Sequence, residues 1–394
     1  MKQTIRDLQP AGRTIFLRVD FNVPITQGTV TDDSRVVAAL PTIGELSRAG
    51  ARVLCASHLG RPQGSRRPDL SMEPVAAVLG HLLGHRVLFI PECHGPQVAK
   101  GVATMGDGEV ALLENLRFAP GEEKNDPDFA RQLAAPASIY VNDAFGTAHR
   151  AHASTAAITR FLSPAVAGLL LEREVTSLSR LLGPVDRPYI VVLGGAKISG
   201  KIDLMESLME RVDAILVGGA MSHTLLRARG IEIGRSRVEE DRVDMARHIL
   251  ERARTRGVDL VLPVDHLVAP AVDSDTVEAT SGVAIPAGLM AGDVGPRTVD
   301  LFSRRIQEAA TILWNGPMGI FENPRFASGT RCIGAAIAAS PGFSVVGGGD
   351  SAAAVRQFHL GDGFSHISTG GGASLEYLAG RSLPGLAALA EKDT

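Results

Sequence analysis

Two of the six lysines in this chain, Lys197 and Lys201, stand four residues apart in the stretch Val191-Val192-Leu193-Gly194-Gly195-Ala196-Lys197-Ile198-Ser199-Gly200-Lys201-Ile202. The other basic side chains are 34 arginines. Where arginine serves almost everywhere as the cation, a lysine pair marks a place for a compact point charge. The stretch reads as strand, glycine turn and helix, which aims backbone N–H groups and a helix N-terminus at an anion. Residues 195–201 also fit the first seven positions of a P-loop, but Ile202 stands where Ser or Thr would hold Mg²⁺. An ordinary strand-end turn with two solvated lysines is the bland alternative.

A second set of polar residues recurs at one kind of place. Asp20-Phe21-Asn22-Val23-Pro24 follows the apolar run 14–19, and His58-Leu59-Gly60-Arg61-Pro62 follows 52–57. Glu114-Asn115-Leu116-Arg117-Phe118 follows 110–113, and residues 143–152, with His149, Arg150 and His152, follow 138–142. Arg35 opens the first helical pattern behind Asp32, Asp33 and Ser34, which are capping candidates. One arginine at a strand exit is ordinarily a solvated charge. Arg35, Arg61, Arg117 and Arg150 with His58 make a basic pocket if one sheet carries them all. Guanidinium forks suit phosphate and carboxylate, so the implied ligand is a small anion carrying phosphate.

The second half changes character. Its apolar runs end in Gly194-Gly195, Gly218-Gly219, Trp314-Asn315-Gly316-Pro317-Met318-Gly319 and Gly347-Gly348-Gly349-Asp350-Ser351, with Ser368 to Ser374 glycine-rich as well. Glycine loops feeding helix N-termini suit the phosphates and flat ring of a nucleotide. No G-x-G-x-x-G follows the first strand of either half, which argues against a dinucleotide-dependent dehydrogenase.

The elements that must position these residues alternate from end to end. Further strand-like runs are expected at 87–90, 189–193, 214–217, 259–263, 311–314 and 344–346, and helical spacing at 36–49, 75–83 and 241–255. Such alternation implies α/β architecture, with parallel sheets covered by helices on both faces and ligands beyond the C-terminal strand ends. At 394 residues two domains are expected. Ser163 as N-cap, Pro164 in the first turn, and Gly183-Pro184 as the stop define a long interdomain helix. The expected division is 1–163 for an anion-binding domain, 164–183 for the helix, 184–379 for a nucleotide-binding domain and 380–394 for a C-terminal segment. A net charge of −3 gives no case for nucleic acid or an anionic membrane. Three separated cysteines outside any CxxC pair point to a reducing compartment, and the N-terminal residues carry no signal-peptide pattern. A cytoplasmic protein without membrane spans is expected.

One half for a small phosphorylated anion and one for a nucleotide suggests a small-molecule kinase, and here the residues resemble phosphoglycerate kinases. The matching stretches are Arg18-Val19-Asp20-Phe21-Asn22-Val23-Pro24, residues 57–62, 113–118 and 142–152, Gly194-Gly195-Ala196-Lys197, Trp314 to Gly319 with Phe321-Glu322, Gly347 to Asp350, and Ser368 to Ser374. They span nearly the whole chain in the family's order. The resemblance implies two doubly wound, Rossmann-like, three-layer domains and reversible phosphoryl transfer between 3-phosphoglycerate/ATP and 1,3-bisphosphoglycerate/ADP with Mg²⁺, in glycolysis and gluconeogenesis, by a monomer. It implies substrate binding by Asp20, Phe21, Asn22, Arg35, His58, Leu59, Gly60, Arg61, Arg117 and Arg150. It implies nucleotide binding by Lys197, Lys201, Gly219, Gly295, Asn315, Pro317, Glu322, Gly348, Gly349, Asp350 and Ser351, with Glu322 on the ribose and Asp350 on the metal. Arg35, Lys201, Gly371 and Gly372 would serve the transferring phosphoryl, and the C-terminal segment would return to the N-terminal domain.

An ionised carboxylate acceptor needs no general base, and no protein-kinase catalytic motif occurs. What remains is charge neutralisation and alignment, and two domains imply open and closed forms. The chain departs from the family at Gly200, at Ser351 for Thr, at residues 290–295, and at His266, where a packed or solvated histidine is expected; Trp314 is expected in the core. A P-loop NTPase resting on 195–201, and a non-catalytic protein that kept the fold, are the rival readings.

Overall fold

The computed structural model describes residues 2–392. The described residues divide into two compact units, one of residues 2–176 and 382–392, the other of residues 177–381.

The first unit is built on β1 (Thr14–Arg18), β2 (Arg52–Ala56), β3 (Leu88–Ile90), β4 (Val110–Leu113), β5 (Ile139–Asn142) and β6 (Ala165–Ala167). They form one sheet in the order β3-β4-β2-β1-β5-β6, and every pair is parallel. Ile15, Leu17, Val53, Cys55, Leu112 and Val141 pack on one face against Val36, Ile43 and Leu46 of the helix Ser34–Arg48 and Val75 and Leu79 of Glu73–Leu83. The alternate residues Phe16, Leu54, Ala111 and Tyr140 are buried on the other face. Burial on both faces is why these strands read as unbroken apolar runs. Residues 382–392 complete the unit: Gly385 N–H donates to the Ala148 carbonyl at 2.8 Å, and Asn142 Nδ2 donates to that of Gly385 at 3.2 Å.

The second unit holds β7 (Tyr189–Leu193), β8 (Ala214–Val217), β9 (Asp259–Val261), β10 (Thr311–Asn315), β11 (Phe343–Gly347) and β12 (His366–Ile367). The order is β9-β8-β7-β10-β11-β12, again all parallel. Direction of winding reverses between β7 and β10, the switch point where doubly wound sheets bind ligands. Ile190, Val192, Leu216, Ile312, Trp314 and Val346 pack against Phe302, Ile306, Ile333 and Ile337. Trp314 is fully buried, as expected. Each unit is therefore the expected three-layer, doubly wound α/β fold.

Two expectations change. The helix read from 164 begins at Leu169 and runs to Leu182, and residues 165–167 form β6, paired with Tyr140 to Asn142. Ser163 does not cap it. Its first N–H groups go to side chains remote in sequence: Leu169 N–H to Thr42 Oγ1 at 3.0 Å, and those of Leu170 and Leu171 to Asp143 Oδ1 at 2.9 and 3.1 Å. A carboxylate placed by β5 outcompetes the local Ser-Pro signal, because it meets two orphan donors at the positive end of the helix. The division between the compact units falls inside this helix, after Thr176. Residues 290–294, where the chain departs from the family, form a strand of a small antiparallel sheet with His266–Ala269 and Glu278–Ala279, which was not expected.

Candidate active site

Register sets the first site. Arg18 pairs with Ala56 on one side and Asn142 on the other, so the segments leaving β1, β2 and β5 start at one level. Asp20 Oδ2 accepts from Arg35 Nη1 at 2.7 Å, and Asn22 Oδ1 from Gly60 N–H at 2.9 Å. Phe21 N–H donates to Ser57 Oγ at 2.8 Å. Asn115, buried, accepts from the N–H groups of Leu59 and Arg117 at 3.1 and 3.0 Å. Arg117 Nη1 donates to the Gly60 carbonyl at 2.7 Å. Thus Asp20, Phe21, Asn22, Arg35, Leu59, Gly60 and Arg117 form one connected constellation, with His58 buried inside it. Arg61 and Arg150 are exposed, and Arg150 Nε lies 3.2 Å from His149 Nε2.

The electrostatics show a concentrated positive field. Burial, reinforced by Arg18, Arg117 and Arg35, pushes the His58 imidazole well below its ordinary range, so it is neutral at pH 7. Burial also lowers the Arg117 guanidinium; Glu123 opposes this, and Arg18 and Arg150 add to it. Like charges held this close repel one another, and an incoming anion relieves that repulsion.

In the second unit Leu193, Asn315 and Gly347 lie side by side on β7, β10 and β11, so their glycine exits converge. Gly194 N–H donates to the Asn315 carbonyl and Gly195 N–H to that of Pro317, at 3.0 and 2.8 Å. A Cβ on Gly219 would fall 2.5 Å from Gly195 N, and that residue has a φ of +64°, so only glycine serves there. Lys201 Nζ donates to the Asn315 carbonyl at 2.9 Å and also to its Oδ1. Burial brings its pKa down to about 8, with the Asp350 charge acting in the opposite sense. Ser351 Oγ, fully buried, accepts from Gly316 N–H at 2.6 Å and pins that turn. This hydroxyl is the feature the Ser351 replacement keeps.

Beside these loops lies a cavity of about 440 Å³, walled by Gly195, Gly219, Pro317, Met318 and residues 290–294, with Glu322 and Asp350 also on its lining. His223 and His266 line it too and pack edge to face, 5.7 Å between centroids. Burial lowers both to about 4, so they are neutral walls. His266 is packed rather than solvated. Of the expected nucleotide residues, Gly219, Pro317, Glu322 and Asp350 meet at the cavity. Asn315 and Ser351 stand behind it as supports. Lys197, Lys201, Gly348 and Gly349 do not line it, nor do Gly371 and Gly372, expected at the transferring phosphoryl. Gly295 does not either: it starts the helix Pro296–Gln307, and a Cβ there would fall 2.5 Å from Asp265 Oδ2. Residues 290–294, the strand of the small antiparallel sheet that leads into Gly295, do line it.

Sequence reading missed Glu239 as well. Its carboxylate accepts from Ile198 N–H at 2.6 Å, Ser199 N–H at 3.2 Å and Ser199 Oγ at 2.6 Å. It thereby ties down the loop that leads to Lys201. Glu239→Ala is expected to free that loop and raise KM for nucleotide by about five-fold or more, with KM for the phosphorylated acid unchanged, in steady-state assays varying each substrate in turn.

Asp350 is exposed in the first turn of the helix Gly349–Gln357. Among the described residues no cluster of three or more His, Cys, Asp or Glu side chains could hold a metal. One open carboxylate fits a Mg²⁺ ion that takes its remaining ligands from water and nucleotide phosphates, the usual pattern for this hard cation.

The comparisons with known proteins agree with this geometry. A family model described as phosphoglycerate kinase matches residues 5–381. The phosphoglycerate kinase of Anaeromyxobacter dehalogenans strain 2CP-1 is 53% identical, covering 99% of each chain. That of Prosthecochloris aestuarii is 50% identical over 98% of this chain and 99% of the relative. Among solved structures, the phosphoglycerate kinase of Coxiella burnetii has a TM-score of 0.90 at 39% identity, covering 98% of each chain. That of Pyrococcus horikoshii OT3 has a TM-score of 0.87 at 35% identity. With the family model spanning nearly the whole sequence, and with relatives this similar end to end, the chain belongs to the phosphoglycerate kinase family.

Proposed function

We propose that this chain transfers the γ-phosphoryl group of ATP to the carboxylate of 3-phosphoglycerate, giving 1,3-bisphosphoglycerate and ADP, and runs the reverse reaction, in glycolysis and gluconeogenesis. The observation that carries this reading is the pairing of an arginine-lined set of strand exits in one unit with a glycine-walled cavity at the switch point of the other. In the forward step a carboxylate oxygen forms a bond to phosphorus as the bond to the bridging β–γ oxygen breaks, and ADP leaves with that electron pair. The acceptor is ionised at pH 7, so no residue need remove a proton.

The work of the side chains is binding, alignment and charge neutralisation. Asp20 and Asn22 orient the acid, with the Phe21–Leu59–Gly60 backbone framing it; Arg35, Arg61, Arg117 and Arg150 receive its anionic groups, and His58 donates to it. Glu322 takes the ribose hydroxyls. Arg35, Lys201 and the Gly371–Gly372 amides stabilise charge on the transferring phosphoryl, with Lys197, Gly348 and Gly349 beside the phosphates. Asp350 would hold Mg²⁺, which when bound neutralises phosphate charge.

The P-loop rival fails on the fold, since Lys201 is anchored to Asn315 and the remaining site is divided among other strand exits. A cytoplasmic monomer without nucleic-acid or membrane partners is the setting we propose. The three cysteines are free, and no helix among the described residues is long and apolar enough to cross a membrane. A coupled assay following ATP consumption tests the function: turnover must depend on 3-phosphoglycerate, and ATP loss independent of it overturns the reading.

A further inference from the structure

Behind the arginine-lined exits of the first unit runs a buried chain of polar groups in which Arg18 donates both ways, towards Ser154 and Glu122 on one side and towards His58 on the other. It starts at Glu122, which has no exposed surface. Glu122 Oε1 accepts from Ser154 Oγ–H at 2.6 Å, and Oε2 accepts from Ser154 N–H at 3.1 Å. The serine hydroxyl has one proton. With that proton on Glu122, Ser154 Oγ accepts from Arg18 Nε, 2.9 Å away. Arg18 is itself fully buried; its Nη1 donates to the Val19 carbonyl, and its Nη2 lies 3.3 Å from His58 Nδ1. A guanidinium cannot accept a hydrogen bond, so His58 Nδ1 is the acceptor and the neutral ring carries its proton on Nε2. The Asp20 carboxylate, which would favour a proton on Nδ1, is 3.9 Å from it, outside hydrogen-bond reach. Tyr140 Oη donates to the Ser154 carbonyl at 2.8 Å and Ala153 N–H to that of Glu122 at 2.9 Å, so Ser154 and Glu122 are also held through their own carbonyls.

We propose that Glu122 and Ser154 are positioning residues for the anionic substrate: acting through Arg18, they lock His58 as the neutral Nε2–H tautomer. Arg18 occupies Nδ1, which leaves Nε2 as the nitrogen free to meet a ligand. In this tautomer Nε2 offers an anionic oxygen an N–H. In the other it would offer a lone pair and repel that oxygen. The lock supplies a donor without adding a further positive charge beside Arg18, Arg35 and Arg117. The assignment of the ring proton stands on the hydrogen-bond chain alone; its consequence for substrate rests on the reading of His58 as a 3-phosphoglycerate ligand.

The test is ¹⁵N–¹H correlation of the His58 ring in the full chain labelled with ¹⁵N-histidine, at pH 7. The wild-type ring is expected to show the Nε2–H pattern. Ser154→Ala is expected to release Arg18 and give a mixed or Nδ1–H pattern. It should also raise KM for 3-phosphoglycerate by about five-fold or more, the loss of one well-placed hydrogen bond, with kcat changed less; Ser154→Thr, which keeps the hydroxyl, restores both. An Nδ1–H ring in the wild type, which needs no variant to observe, overturns the proposal. So does an Nε2–H pattern that survives Ser154→Ala. An Nε2–H wild-type ring in a chain with no 3-phosphoglycerate-dependent turnover would leave the tautomer lock standing and overturn the functional reading instead.

Discussion

Replacing Lys201 with alanine is expected to lower kcat by about two to three orders of magnitude, the range seen when a preorganised charge or donor for the transition state is removed. The affinity for 3-phosphoglycerate should change little, because the ligands proposed for that acid all lie in the first unit. The reason for so large an effect is preorganisation. Lys201 Nζ is held by Asn315 through its carbonyl and its amide oxygen, and Asn315 Nδ2 is in turn tied to the Gly347 carbonyl at 2.8 Å. The charge therefore needs no rearrangement to act. The same burial gives a pH signature. With a pKa of about 8, Lys201 is charged below that value and loses its proton as pH rises through it. For the wild type, kcat/KM for nucleotide, which reports the free enzyme, should fall on the alkaline side with a midpoint near that pKa. The alanine variant should lack this limb. An unchanged kcat would remove Lys201 from the transition state.

Gly194→Ala is expected to damage the second unit as severely, by a different route. A Cβ at 194 would fall 2.7 Å from the Gly316 carbonyl oxygen and closer still to that of Pro317. These are backbone atoms of the neighbouring strand exit, so no side chain can swing away. The two loops at the switch point must part, which breaks the hydrogen bonds from Gly194 to Asn315 and from Gly195 to Pro317. Overpacking of this kind costs about 3 kcal/mol, or roughly 6–12 °C in the melting temperature of a domain of this size. The cavity proposed for nucleotide shares Gly195, Gly219 and Pro317 with the disturbed region. Calorimetric melting and ADP titration should therefore both report loss in this variant, whereas Gly200→Ala, with nothing within 4 Å of its Cβ, should melt like the wild type. A Gly194→Ala chain that melts and binds ADP normally would show that the loops have room the geometry denies.

The sequence by itself determined the two parallel sheets. Runs such as Tyr189–Leu193, Ala214–Val217 and Val110–Leu113 carry apolar side chains for both faces, so each unbroken apolar run marked its own bounds without tertiary help. The charges at their ends were legible for the same reason, since strand exits in such sheets are where ligands bind. Motif resemblance then gave roles to Arg35, Lys201 and Asp350.

What the sequence could not decide depended on partners far along the chain. Ser163-Pro164 carries every local mark of a helix start, yet Asp143 and Thr42 cap the helix at Leu169. Gly295 has no room for a side chain because Asp265, remote in sequence, packs against it. His266 and His223 became cavity walls only once the small antiparallel sheet brought their rings together. Arg18 entered only as part of a matching stretch; its meaning comes from Ser154 and His58, 136 and 40 residues away. Periodicity reports which face of an element is dry, but a buried polar group is defined by its hydrogen-bond partner, and only the folded chain supplies that partner.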